Sequence, residues 1–216
     1  MKRDIAVIGL GTFGNELALE LSKNGHQVMA IDKDFKKIND LKDQVDVALQ
    51  ADITDPDVLK KIQIDQFDYV ILAMSSDLES IILGITHMKK MNVKKIIGKA
   101  NTYIQKEILL KIGADEVILP EIATAKILSE KITYPNIVEK FKIDDENTLL
   151  EVQIPIKFHG KTLKELDLRK KYGINVVMRT HQGKTELITK PDIIFDKTDI
   201  LFVVGKESLI KKTFLK

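Results

Sequence analysis

The apolar run Ile5-Ala6-Val7-Ile8 breaks directly into Gly9-Leu10-Gly11-Thr12-Phe13-Gly14, and no other stretch of the chain restricts its folding so tightly. A buried strand that turns sharply into a helix requires this pattern. Gly9 permits the tight turn, Gly11 lets the backbone approach a pyrophosphate, and Gly14 lets helix and strand pack closely. The amides freed at the helix start, at the positive end of its dipole, make an anion site.

The same rhythm repeats as far as Leu119. Short apolar runs at Ile5 to Gly9, Val28 to Asp32, Val45 to Leu49, Tyr69 to Ala73, Lys95 to Gly98 and Glu116 to Leu119 alternate with helical patterns. Most are continuous rather than alternating, as strands buried on both faces of a parallel sheet must be. Gly25 and Gly113 stop helices, and Pro56 falls in a first turn capped by Thr54 or Asp55. The expectation is α/β: a Rossmann-like doubly wound parallel sheet with right-handed crossovers.

Within that frame Asp32 closes the second strand about 20 residues beyond the glycines, where a carboxylate accepts hydrogen bonds from ribose hydroxyls and repels a 2′-phosphate. NADP is thereby disfavoured. Asp52 follows the third strand and either meets the adenine amino group or caps the Asp52 to Asp57 turn. Ser75 is assigned to the cleft at the strand ends and Asp77 to capping the next helix. Lys33, Ile53, Ala73 and Lys99, also at strand ends, complete the expected nucleotide-binding set with Gly9, Gly11, Thr12, Phe13 and Gly14.

After Leu119-Pro120 the rhythm changes. A helix is expected from Glu121 to Thr133, then a boundary that divides the chain into 1–135 and 136–216. The second part reads as strand (Leu149 to Ile154), helix (Thr162 to Lys171), strand (Ile174 to Met178), a turn at Gln182-Gly183, strands at Glu186 to Thr189 and Ile200 to Val204, and a terminal helix. This is a small α+β module. Ile122, Ala125, Leu128 and Ile132 form an apolar seam on the connecting helix, suited either to exchange across a dimer or to packing on its own sheet.

Composition narrows the function. With 34 basic against 32 acidic residues and no basic stripe interleaved with aromatics, no nucleic-acid partner is expected. The absence of cysteine removes disulfides and thiolate chemistry. The apolar stretch after Met1-Lys2-Arg3-Asp4 is too short for a signal peptide, and no run approaches the roughly 20 residues that span a bilayer, so a cytoplasmic location is expected. His26, His87, His159 and His181 show no metal spacing. An NAD-dependent oxidoreductase fits the glycine pattern as the alternative function. It lacks support beyond Leu119, where no substrate domain or catalytic constellation is apparent. A transcription factor would need a helix-turn-helix, which the sequence does not show.

Val7-Ile8-Gly9-Leu10-Gly11 with Phe13-Gly14, then Lys111-Ile112-Gly113-Ala114-Asp115, Pro120-Glu121, and Arg169-Lys170-Lys171-Tyr172-Gly173-Ile174-Asn175 together resemble the regulatory subunits of Ktr-type potassium uptake systems. These belong to the RCK domain group, with TrkA-N and TrkA-C domains. The resemblance implies a non-enzymatic cytosolic ring, an octamer built from dimers, at the inner face of the membrane beneath a potassium-conducting subunit. It implies ATP and ADP as ligands of the first domain, with NAD or NADH as further candidates. It places Glu121 at a Mg2+ or Ca2+ site near the phosphates, a role that rests on the resemblance, since a lone Glu after a strand is more often a helix N-terminal charge. It also implies cyclic di-AMP on the second domain, with Arg169, Asn175, His181 and Pro191 as the nearest residues. One departure is Thr12, where the family has an arginine associated with the ATP γ-phosphate.

Overall fold

The computed structural model describes residues 2–74 and 77–215. Two compact units divide the chain, Met1–Thr124 and Ala125–Lys216. The first opens with β1 (Asp4–Ile8), α1 (Thr12–Lys23), β2 (Gln27–Asp32), α2 (Phe35–Leu41), β3 (Val47–Gln50) and α3 (Pro56–Lys61). It continues with β4 (Tyr69–Leu72), α4 (Leu78–Lys90), β5 (Ile96–Lys99), α5 (Tyr103–Ile112) and β6 (Glu116–Ile118), and α6 (Pro120–Thr133) runs on across the division.

All pairings in this sheet are parallel, in the order β3-β2-β1-β4-β5-β6. The order reverses between β1 and β4, which opens a crevice at the carboxyl ends of those strands. The continuous apolar runs have a direct cause: successive side chains of a strand point to opposite faces. Ala6 and Ile8 enter one core with Val70, Leu72 and Ile96, while Ile5 and Val7 enter another with Val28 and Ala30. Neither face can afford a polar residue. Asp55, rather than Thr54, caps α3, and Thr102 caps α5.

The second unit contains β7 (Ile137–Lys142), β8 (Asn147–Gln153), α7 (Leu163–Leu166), α8 (Leu168–Tyr172), β9 (Asn175–His181), β10 (Lys184–Leu187), β11 (Ile200–Lys206) and α9 (Glu207–Phe214). Its sheet is antiparallel, in the order β10-β9-β11-β8-β7. Alternate residues of β8 and β11, including Leu150, Val152, Leu201 and Val203, pack with Phe158, Phe195, Ile210 and Phe214. Phe158 and Phe214 meet edge to face at 5.4 Å.

The second unit departs from the sequence expectation in ways that have a physical cause. Edge strand β7 was not anticipated, because Ile-Val-Glu-Lys-Phe-Lys buries none of its residues and shows no clean alternation. The single helix expected from Thr162 to Lys171 is two short ones, separated where Asp167 takes a left-handed conformation at φ 46°. The strand after the hairpin starts at Lys184 rather than Glu186, since the two-residue turn at Gln182 (φ 49°) and Gly183 (φ 78°) sets Lys184 opposite His181.

Candidate functional site

A cleft of about 610 Å3 lies at the carboxyl ends of the parallel strands. Gly9, Gly11, Thr12, Phe13, Asp32, Lys33, Asp52, Ile53, Ala73, Lys99 and Glu121 all line it. Of the nucleotide-binding residues expected from sequence, Gly14 stands behind the lining and Ser75 lies outside the described residues. Glu16, Lys37, Met74, Asp77 and Ser80 also line the cleft. Their spacing carries no motif: Met74 follows the end of β4, and the others arrive with α1, α2 and α4.

The glycines act as their positions demand. Gly9 has φ +91°, and a Cβ there would lie 2.9 Å from both the amide nitrogen and Cβ of Met74. A Cβ on Gly14 would overlap the Gly9 carbonyl oxygen and lie 2.9 Å from Ala73 Cβ, so α1 approaches β1 and β4 only because none is present. Gly11 faces open space, with nothing within 4 Å of its absent Cβ, and opens α1 without a capping side chain. No acidic residue stands in the first turn. The first-turn amides therefore point at an accessible, dipole-favoured anion position.

Asp32 is 7% exposed. Its Oδ2 accepts from the Leu10 amide at 2.7 Å and from Lys37 Nζ at 3.1 Å, and its Oδ1 accepts from the Asp34 amide at 2.9 Å. Burial pushes the carboxyl pKa up, but the two amides and Lys37 outweigh it and hold the group below the usual aspartate range. Asp32 thus ties the glycine turn to the end of β2; the cap of α2 is Asp34.

Asp52 accepts from the amide of Thr54 at 2.9 Å and its hydroxyl at 2.8 Å, bonds that lower its pKa. It joins its turn and lines the cleft at the same time. Asp77 caps α4 through the Ser80 amide at 3.1 Å, as expected. Ile53 is buried and, like Ala51 and Ala73, adds apolar surface to the cleft lining. Gly84 makes room for it, since a Cβ there would lie 2.7 Å from Ile53 Cδ1.

At the far end of the cleft, Lys99 Nζ lies 2.5 Å from Glu121 Oε1 and 5.9 Å from the centroid of the Phe13 ring. Lys99 is nearly buried and Glu121 is 62% exposed. The hydrogen bond from Lys99 lowers the Glu121 pKa, so Glu121 is charged at neutral pH. Thr12, the first residue of α1, is exposed.

In the second unit, Arg169 lies on α8, Asn175 begins β9, His181 ends it, and Pro191 follows β10. Arg169, Asn175 and Pro191 are exposed. His181 Nδ1 is 2.6 Å from the buried Asp199 Oδ1. A strand of this length puts Asn175 and His181 roughly 20 Å apart. Asn175 and His181 thus stand at opposite ends of one strand.

The TrkA-N domain family matches residues 5–120 and the TrkA-C domain family residues 149–215. Ktr system potassium uptake protein C of Bacillus subtilis (strain 168) is 36% identical over 214 residues, covering 98% of this chain and 96% of that protein. Ktr system potassium uptake protein A of the same organism is 30% identical over 210 residues, covering 97% and 95%. The chain belongs to the Ktr potassium uptake family.

Among solved structures, the GsuK channel bound to NAD shares the fold with a TM-score of 0.65 at 17% identity. The match covers 97% of this Ktr-family chain and 38% of the channel, so the chain spans about two fifths of that channel's length. Among the described residues, no helix is long and apolar enough to cross a membrane.

Proposed function

We propose that this chain is a regulatory subunit of a potassium uptake system, located in the cytoplasm at the inner face of the membrane, whose first unit binds an adenine nucleotide without turning it over. The observation that carries this reading is the cleft at the sheet's switch point in a Ktr-family chain. It combines an uncapped α1 start for phosphate, Asp32 for ribose and the apolar lining at Ile53 for adenine. ATP and ADP are the ligands proposed first, with NAD or NADH as the alternatives.

The state of the titratable groups supports a binding rather than a catalytic role. Asp32, Asp52, Asp77 and Glu121 all have lowered pKa values and are committed to amides, hydroxyls or a lysine. A general acid or base near neutral pH needs the opposite shift. Among the described lining residues, Glu16, Asp32, Asp52, Asp77 and Glu121 outnumber Lys33, Lys37 and Lys99. A free polyphosphate meets net repulsion there.

A divalent cation, Mg2+ or Ca2+, removes that repulsion. No group of three or more His, Asp or Glu among the described residues makes a metal site alone. Glu121 fits as the single protein carboxylate of a site completed by phosphate oxygens and water, the usual arrangement for Mg2+. Lys99 is then released toward phosphate.

None of the residues of α6 is buried, and Leu128 and Ile132 are 55% and 73% exposed. That seam supports a homo-oligomer, a ring of dimers, in which a second copy covers it. Cyclic di-AMP at the second unit would take Asn175 and His181 from different copies of the chain. Nucleotide shifts the ring only by binding its states unequally.

Calorimetry with ATP, ADP, AMP, NAD, NADH and cyclic di-AMP, with and without Mg2+ or Ca2+, tests the reading. Binding of an adenine nucleotide with no product formed is expected. No binding of any of them, or steady reduction of NAD with a small hydroxy acid, would overturn it. Potassium uptake by the reconstituted channel subunit, with and without this chain and its nucleotide, tests the regulatory role.

A further inference from the structure

We infer that Lys37 is a displaceable counter-ion of the ribose subsite, holding on Asp32 the acceptor position that a ribose hydroxyl needs and so setting how tightly the cleft takes ribonucleotides. The inference rests on the nucleotide reading above.

A carboxylate offers about four lone-pair positions, two on each oxygen. On Asp32, the Leu10 amide and the Lys37 ammonium fill both positions of Oδ2, and the Asp34 amide fills one of Oδ1. One position remains. A ribose presents two neighbouring hydroxyls, and gripping both takes one acceptor on each oxygen. One of the two donors on Oδ2 has to leave it or share it.

The two on Oδ2 are not equally able to go. Leu10 is 4% exposed, and its amide would be left buried and unpaired, at the full desolvation cost of the group. Lys37 carries its ammonium on a flexible stem from α2, with the side chain 42% exposed, and can return it to water. Lys33 does not take over, being 70% exposed with its ammonium 4.0 Å from Asp77. Without ligand, the buried Asp32 charge needs a partner. Lys37 supplies one that a hydroxyl can replace.

The test is calorimetry on the full chain with ADP and with 2′,3′-dideoxy-ADP, for the wild type, Lys37→Met and Lys37→Gln. Loss of the ammonium's charge acts alike on the two diphosphates, so both substitutions should raise the preference for ADP over dideoxy-ADP by about two- to fivefold, the scale of a partly exposed ion pair. Lys37→Arg, which keeps a cation, should stay close to wild type. An unchanged or lower ratio of the dideoxy-ADP to the ADP dissociation constant in both Lys37→Met and Lys37→Gln overturns the inference. If the wild type prefers ADP to dideoxy-ADP while neither neutral variant raises that preference, only the role of Lys37 has failed. If the wild type binds neither nucleotide, the nucleotide reading has failed with it.

Discussion

Replacing Asp32 with alanine should destabilise the first unit as well as weaken nucleotide binding, and the two effects can be measured apart. The substitution removes the acceptor of the Leu10 amide at 2.7 Å and of the Asp34 amide at 2.9 Å. Leu10 is buried, so its N–H is left unpaired at about 1–3 kcal/mol. The Asp34 amide reaches water, and its loss costs about 0.5–1.5 kcal/mol. The Lys37 contact is partly exposed and adds little. Relief of the carboxylate's burial offsets part of the sum, leaving about 1–4 kcal/mol of lost stability at neutral pH.

The pH dependence has a definite sign. Because the folded pKa of Asp32 lies below its unfolded value of about 3.9, the stabilisation is fully present above that value and is lost as pH falls through the folded pKa. Urea unfolding should therefore show a constant difference between wild type and Asp32→Ala from about pH 5 to 8, shrinking below about pH 4. A difference under about 0.5 kcal/mol at pH 7, or one that grows on acidification, would refute the assignment of Asp32 as the tie between loop and sheet. At a temperature where both proteins are folded, calorimetry should separately show nucleotide affinity lower by about 1.5–3 kcal/mol, the range of a hydrogen bond to a charged group.

Gly14→Ala forces a methyl against the Gly9 carbonyl and Ala73, and should cost at least about 1–3 kcal/mol in urea unfolding; a neutral result would mean that α1 can move away from β1 freely. Thr12→Arg should raise the preference for ATP over ADP by roughly five- to hundredfold in the ratio of dissociation constants, since arginine adds a charge-assisted contact that threonine cannot reach. An unchanged ratio in a wild type that already prefers ATP strongly would place the discrimination elsewhere. Glu121→Gln keeps a hydrogen-bond acceptor for Lys99 while removing the charge, so calorimetry should find the Mg2+ or Ca2+ enhancement of ATP binding reduced about tenfold. Full retention of the enhancement would exclude Glu121 as the cation's ligand.

The glycine turn, the buried strands and the end of β2 were legible because local physics dictates them. A turn that brings α1 against β1 excludes every Cβ at Gly14, and strands covered on both faces must be apolar throughout. The same local logic placed Asp77 as the cap of α4. It failed in the second unit where nothing local decides. Edge strand β7 is held by its pairing with β8 rather than by a buried face, and the break at Asp167 costs a left-handed turn that an unbroken helical pattern does not announce.

For the site, sequence alone placed the glycine turn and Asp32, because each occupies a fixed offset from a strand end, while Glu121 was singled out only through the family resemblance. Tertiary structure decided their partners. Lys37 reaches Asp32 only when α2 folds back beside β2, and Lys99 meets Glu121 only when β5 and the start of α6 converge. Both pairs join residues whose types could serve many purposes. Charge pairing acts through space and leaves no period in the sequence, whereas backbone sterics act between neighbours and do.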